Sequence, residues 1–258
     1  MKKVLVIGDS FIDKYIFGNA ERLSPEAPIP ILNIEREEIR GGGAINVANN
    51  LYSLGLKPEL YTITNFKAPY KIISPKNITP IIKTRYICNK YQLLQADNLS
   101  KYCDDDLRKV KLPDFSNYDI VAFVDYNKGI ITGGKATIVD TKKEDLSVFE
   151  GSQILKVNRN EYEKAYNKKH FKKSFITMDK DGIDYYEKDD FIYNDSAKVK
   201  DVIDICGAGD TVMAVIIYCL ATGINDYKEI MKLANKAAGI VISKFGVNKI
   251  KYKELFKI

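Results

Sequence analysis

A doubly wound, mostly parallel α/β sheet, with helices on both faces and a small separate β-sheet, is the fold class this sequence predicts. Three observations predict it. Short apolar, β-branched runs alternate with charged stretches of helix length, the pattern of parallel strands covered on both faces. Two long helix-like segments close the chain. Strand-like segments within about 15–38 and 80–96 fall outside the alternation and are read as a sheet of their own.

Taken in order, Val4-Leu5-Val6-Ile7 is a continuous apolar run closed by Gly8, as expected of a buried parallel strand. Ile29 to Ile34 begins after Pro28 and contains Pro30, so it reads as an edge or lid strand. Gly41-Gly42-Gly43 then opens a helix from Ala44 to Leu54, apolar at 44, 47, 48, 51 and 54 and stopped by Gly55. Residues 80–88 and 91–96 form a hairpin turning at Asn89 and Lys90. Ile120 to Val124, Thr137 to Val139, Ile154 to Val157 and Phe175 to Met178 are further short strands. Ala208 to Thr222 is apolar nearly all round and should be buried. Tyr227 to Phe245 is amphipathic, with Ile230, Leu233, Ala234, Ala237, Ile240 and Val241 on one face. No repeat, low-complexity tract or linker interrupts the chain. Residues 1–258 are therefore read as one domain, its lid strands drawn from about 14–38 and 80–96.

Composition narrows the function classes. The net charge of +6 comes from 40 Lys and Arg against 34 Asp and Glu, mixed along the whole length without a basic stripe. That argues against a nucleic-acid partner. Cys88, Cys103, Cys206 and Cys219 form no C-x-x-C pair, and His170 is the lone histidine, so no zinc site has a familiar ligand spacing. The thiols read as small buried hydrophobes in a reducing compartment. The first apolar run ends after four residues, and none reaches the length of a membrane span. A cytoplasmic protein with no membrane partner is the expectation.

The chemistry concentrates in Asp204-Ile205-Cys206-Gly207-Ala208-Gly209-Asp210, just before the first long C-terminal helix. Small residues at 207, 208 and 209 let a ligand approach the backbone, and a helix N-terminus favours anions. Asp210 lies in the first turn beside those donors. A carboxylate next to an anion cradle suits phosphoryl transfer to an alcohol: a base for the hydroxyl proton, and fixed dipoles for charge building on the phosphate. The same residues also suit a plain acidic cap on a glycine-softened helix start. Asp9 and Asp13 after the first strand, and Gly42, Gly43 and Asn46 at the first helix, fall where a sheet's carboxyl edge presents groups to sugar hydroxyls. Turn formation and helix initiation are the alternative readings.

Together these residues resemble the ribokinase-like, or PfkB, carbohydrate kinases, from residue 4 to about residue 254. The hallmarks are Gly-Gly-x-x-x-Asn at Gly42, Gly43 and Asn46, and Asp-x-x-Gly-Ala-Gly-Asp at Asp204 to Asp210. A third is Asn-x-x-Glu at Asn158-Arg159-Asn160-Glu161, which in the family organises Mg²⁺, its waters and the phosphates. The resemblance implies ATP as phosphate donor, Asp210 as base, the Gly207-Ala208-Gly209 backbone as anion hole, and Glu161 facing Mg²⁺ through water. It also implies nucleotide contacts at Asn158, Arg159, Asn160, Thr177, Gly182 and Asn235, and pairing of the small sheet with a second copy.

A narrower resemblance, to bacterial D-glycero-D-manno-heptose 7-phosphate kinases of lipopolysaccharide biosynthesis, lies in Asp13 to Leu32, including Arg22-Leu23-Ser24-Pro25-Glu26-Ala27-Pro28. Gln92-Leu93-Leu94 and Asp125-Tyr126-Asn127-Lys128-Gly129 also fit it. It implies phosphorylation of a sugar phosphate at the anomeric hydroxyl, giving a 1,7-bisphosphate. Sugar contacts would come from Asp13, Gly42, Gly43, Asn46, Arg85, Asp125 and Lys128, with Arg22, Arg85 and Lys128 available to the distal phosphate. Departures are Cys206 where Thr is usual, Gln95 where Arg is expected, and apparent losses of helix near 65–80 and 164–173. No nucleotidyltransferase part follows, so a kinase alone is expected. The alternatives are a kinase of another sugar or sugar phosphate and a non-catalytic sugar-phosphate sensor. A nicotinamide oxidoreductase is excluded, because Gly8-Asp9-Ser10 does not continue as G-x-G-x-x-G.

Overall fold

The computed structural model describes residues 2–89, 91–99, 101–197 and 201–256. In chain order the strands are β1 (Val4–Gly8), β2 (Ser10–Asn19), β3 (Asn33–Gly43), β4 (Glu59–Tyr61), β5 (Lys71–Ile73), β6 (Ile81–Cys88) and β7 (Tyr91–Asp97). They continue as β8 (Ile120–Asp125), β9 (Ile138–Thr141), β10 (Ile154–Asn158), β11 (Lys173–Thr177), β12 (Ile183–Glu187) and β13 (Asp190–Asp195). Among the described residues, nine strands form one sheet in the order β13-β12-β11-β10-β9-β8-β1-β4-β5. It is parallel except for β12 and β13 at one edge.

Both faces of β1 are buried, which is why its sequence is apolar without alternation. Val4 and Val6 face one layer, made by α1 (Ala44–Ser53), α4 (Ala208–Thr222) and α5 (Tyr227–Ile242). Leu5 and Ile7 face the other, where Phe123, Phe149, Leu155 and Phe171 fill the core. That second layer holds only short helices, among them α2 (Asp104–Leu107) and α3 (Arg159–Lys164), with 3₁₀ turns and loops between them. The stretches near 65–80 and 164–173 contain no α-helix beyond the end of α3. A last short helix, α6 (Tyr252–Phe256), packs on α5.

The small sheet has the order β3-β2-β6-β7, with β2 and β6 parallel and the outer pairs antiparallel. Two details correct the sequence reading. Ile29 to Leu32 form no strand: Pro30 makes one isolated bridge with Leu23, the missing proline N–H groups limit the pairing to that, and β3 starts only at Asn33. The expected turn at Lys90 lies outside the described residues. β2 and β3 also reach beyond the expected 14–38, from Ser10 to Gly43. Asp9 alone separates β1 from β2, and β3 runs directly into α1. Two of the four chain crossings between core and lid are therefore direct, and Asp9, Asp13, Gly42 and Gly43 sit at or near them. The amphipathic helix ends at Ile242 rather than Phe245, and Gly246 turns the chain with φ 72°.

Candidate active site

The helix α4 begins at Gly207, whose φ of 79° lies in the left-handed region and whose end carries no side-chain cap. Asp210 is the third residue of the helix and is buried. Its Oδ1 accepts a hydrogen bond from the Tyr126 hydroxyl at 2.7 Å, and its Oδ2 accepts one from Asn46 Nδ2 at 3.0 Å. Burial pushes the Asp210 carboxyl up to about 6; the two hydrogen bonds and Lys156 oppose that rise, while Asp140 adds to it. Such a carboxyl is ionised at neutral pH yet basic enough to take a proton.

The loop before α4 is shaped by Asp204, whose carboxylate accepts the N–H groups of Cys206 and Gly246, both at 2.9 Å. Cys206, where a threonine was expected, presents a thiol pushed up to about 11 by burial and by Asp204. It therefore adds no anion to the loop. Lys156 was overlooked in the sequence. Its Nζ lies 3.1 Å from where a Cβ at Gly209 would stand, and it pairs with Asp140 at 2.6 Å in a buried site. A lysine in the otherwise apolar run Ile154 to Val157 was the signal that could have found it.

Gly207 has two reasons to be glycine. Its backbone is left-handed, and a Cβ there would sit 2.6 Å from Asn46 Nδ2, the donor that holds Asp210. Gly207→Val is expected to lower kcat by about 10²-fold or more, the scale for losing a preorganised anion donor. Strain from a β-branched residue at positive φ costs about 1–3 kcal/mol, leaving the chain folded. Steady-state kinetics beside a melting curve check this: activity and melting temperature collapsing together would make the glycine purely structural.

On the lid side, Asp13 is buried and ion-paired with Arg85. A side chain at Gly42 would run into the Asp13 carboxylate, and one at Gly43 would stand 2.5 Å from the Asp9 carbonyl. Asn46 turns toward Asp210 and Gly207 rather than outward, and its Oδ1 accepts from Asn50. Asp125, expected to meet the sugar, is instead taken up inside the protein by Thr141, Lys143 and the Asn127 N–H. Its position at the end of β8 put it near the site, but a carboxylate buried there needs those partners. Lys128 is held through its N–H by Asp9 at 2.9 Å. Arg22 lies exposed in the loop between β2 and β3.

On the other side, Asn158 caps α3 and Glu161 returns the bond, a reciprocal capping box. The second Glu161 oxygen accepts from Lys142 at 2.9 Å. Arg159 bridges to Asp181 at 2.9 Å, and Asn160 is exposed beside it. Thr177 is the register partner of Asn158, so both stand on one sheet edge. Gly182 has φ 91° and would drive a side chain into the Asp195 backbone, so packing explains that glycine. The Asn235 amide donates to the Asp195 carbonyl and carboxylate at 2.7 and 2.8 Å, which occupies the group expected to meet the nucleotide.

A buried carboxylate at a left-handed, glycine-opened helix start, facing a lysine, matches a known family. The model of the pfkB family carbohydrate kinases matches residues 118–253, just over half of the chain. The chain belongs to the pfkB family of carbohydrate kinases. This pfkB kinase is 32% identical to the bifunctional protein HldE of Sulfurimonas denitrificans, over 98% of this chain and 63% of that protein. It is 33% identical to the HldE protein of Helicobacter pylori, over 95% of this chain and 64% of that one. It thus spans less than two thirds of these relatives' length. In three dimensions it resembles a Methanocaldococcus jannaschii nucleoside kinase of the ribokinase family, with a TM-score of 0.73 at 17% identity, covering 100% and 97% of the two chains. Arabidopsis thaliana ribokinase, solved with ribose and ATP, gives a TM-score of 0.67 at 14% identity, covering 99% and 98%. No helix among the described residues is long and apolar enough to cross a membrane.

Proposed function

We propose that this pfkB sugar kinase transfers the γ-phosphate of ATP to the anomeric hydroxyl of a sugar already phosphorylated at its far end, D-glycero-D-manno-heptose 7-phosphate first. The observation that carries the transfer step is the buried Asp210 carboxyl, poised near pH 6 at the α4 N-terminus with Lys156 beside Gly209. Asp210 takes the hydroxyl proton as the sugar oxygen bonds to the γ-phosphorus, and the bond to the bridging oxygen breaks to release ADP. The Gly207 and Gly209 N–H groups and the Lys156 ammonium face the charge on the transferring group, while the Ala208 N–H is taken by the Ile205 carbonyl at 3.2 Å. Asn46 and Tyr126 hold Asp210 in place.

Among the described residues no group of three His, Cys, Asp or Glu side chains could hold a metal ion. Mg²⁺ asks for less: it binds one or two carboxylates and otherwise keeps its waters and the nucleotide phosphates. Glu161 is the carboxylate on that side that would hold Mg²⁺ through water, and the ion there would neutralise phosphate charge. Asn158, Arg159, Asn160 and Thr177 border the nucleotide on the same edge, while Gly182 and Asn235 support the hairpin beside it. The heptose reading rests on the Asp13 to Leu32 run and on the identity to HldE proteins across nearly the whole chain. A homodimer through the outer face of the lid is proposed as well, since Ile39 and Leu94 are exposed there.

The test compares kcat/KM for heptose 7-phosphate, fructose 6-phosphate, ribose and fructose with ATP and Mg²⁺. Heptose 7-phosphate should lead. Ribose or fructose matching the phosphorylated sugars would remove the sugar-phosphate reading and leave the kinase. No ADP release with any of these sugars would remove the kinase reading for this chain.

A further inference from the structure

The distal phosphate needs a cation, and the structure redistributes the cations that the sequence offered. Arg85 is committed to Asp13, and Arg22 is exposed in its loop. A different lysine stands closer to the crevice wall. Phe11 and Asp13 alternate on the inner face of β2: Phe11 packs edge-to-face on Tyr126, with centroids 5.0 Å apart and planes at 86°. In the β2–β6 register Lys83 is the partner of Asp13, and its Nζ sits 3.9 Å from the Phe11 ring centroid. Tyr126 in turn donates to Asp210. Lys83, Phe11, Tyr126 and Asp210 therefore form one continuous wall.

Among the described residues neither Lys83 nor Lys128 has a carboxylate within ion-pair distance. Burial holds the Lys83 ammonium below the usual lysine range, Asp13 and Asp97 oppose that, and Arg85 and Lys128 add to it. An ammonium resting on a ring face, with a second cation nearby, gains when an anion arrives. Lys128 is pinned from both sides: its N–H donates to Asp9 at 2.9 Å, and its carbonyl accepts from the Tyr102 N–H at 3.3 Å. Its loop is thus preorganised rather than loose.

We propose that Lys83 and Lys128 cradle the phosphate on the end of the sugar remote from the hydroxyl facing Asp210, with Phe11 as the floor beneath Lys83. The orientation of the sugar rests on the kinase reading above.

The experiment measures kcat/KM and, without nucleotide, the calorimetric Kd for fructose 6-phosphate and fructose, in wild type, Lys83→Met, Lys128→Met and the outward-facing Lys14→Met. The ratio of phosphorylated to free sugar should fall about 10- to 150-fold in each of the first two variants, the value of one charge-assisted contact. It should be unchanged in Lys14→Met, and Lys83→Arg should restore most of it. A wild-type ratio kept by both Lys83→Met and Lys128→Met would overturn the cradle and leave the kinase standing. Equal losses on both sugars would mean a structural role and overturn it too. A wild-type protein that does not prefer the phosphorylated sugar in either measurement would also overturn it. The binding arm reads the cradle even if neither sugar is turned over, an outcome that would count against the kinase alone.

Discussion

Asp210→Asn should lower kcat by about 10²–10⁴-fold or more, the contribution of a positioned general base, while ATP and sugar still bind. The amide keeps the shape of the carboxylate: its oxygen accepts from Asn46, and its NH₂ donates to the Tyr126 hydroxyl, which turns from donor to acceptor. The wild-type pH profile of kcat/KM should fall on the acid side with an apparent pKa about 6, where the Asp210 carboxyl titrates. The stability effect has the opposite sense. The folded-state value of about 6 lies above the ordinary 3.8, so the folded chain binds the extra proton between those values. Ionised Asp210 then destabilises the fold above about pH 6, and the penalty fades as pH falls toward 4. The asparagine variant carries no such penalty and should melt no lower than wild type at pH 7. Turnover at a third of wild type or better would take Asp210 out of the mechanism.

Lys156→Met should be nearly as damaging, with kcat down by about 10²–10³-fold, the scale for one lost electrostatic donor, and with weaker binding of ATP but not of ADP. Breaking a buried ion pair at one end costs about 3–5 kcal/mol, so the single variant will also be less stable. The double variant Lys156→Met with Asp140→Asn separates the two effects, because it removes the pair and its strain together. If Lys156 only neutralised Asp140, the double variant would recover turnover. If the ammonium meets the phosphate, stability returns and activity does not.

Much of the fold could be read locally. A strand buried on both faces has to be apolar throughout, and Val4 to Ile7 is; a helix buried all round has to be apolar all round, and Ala208 to Thr222 has the bounds the sequence predicted. The lid was harder. Its strands alternate inner charged residues with outer apolar ones, and the short-range pattern around Pro28 and Pro30 pointed to a strand where the missing N–H groups prevent one.

From sequence alone came the sheet-and-helix alternation, the glycine-opened helix start and the carboxylate at Asp210, because backbone conformation and binary burial are properties of neighbouring residues. Only the tertiary structure decided what each charged group does. Asp125 and Asp13 spend their charge on Lys143 and Arg85, Glu161 spends part of its own on a cap, and Lys156 arrives beside Gly209 from a strand some fifty residues earlier. Charges act over a few ångströms of space, and chain separation does not record that distance. Desolvation works likewise: the same Asp side chain is an ordinary carboxylate on a surface and a base poised near neutrality under the lid.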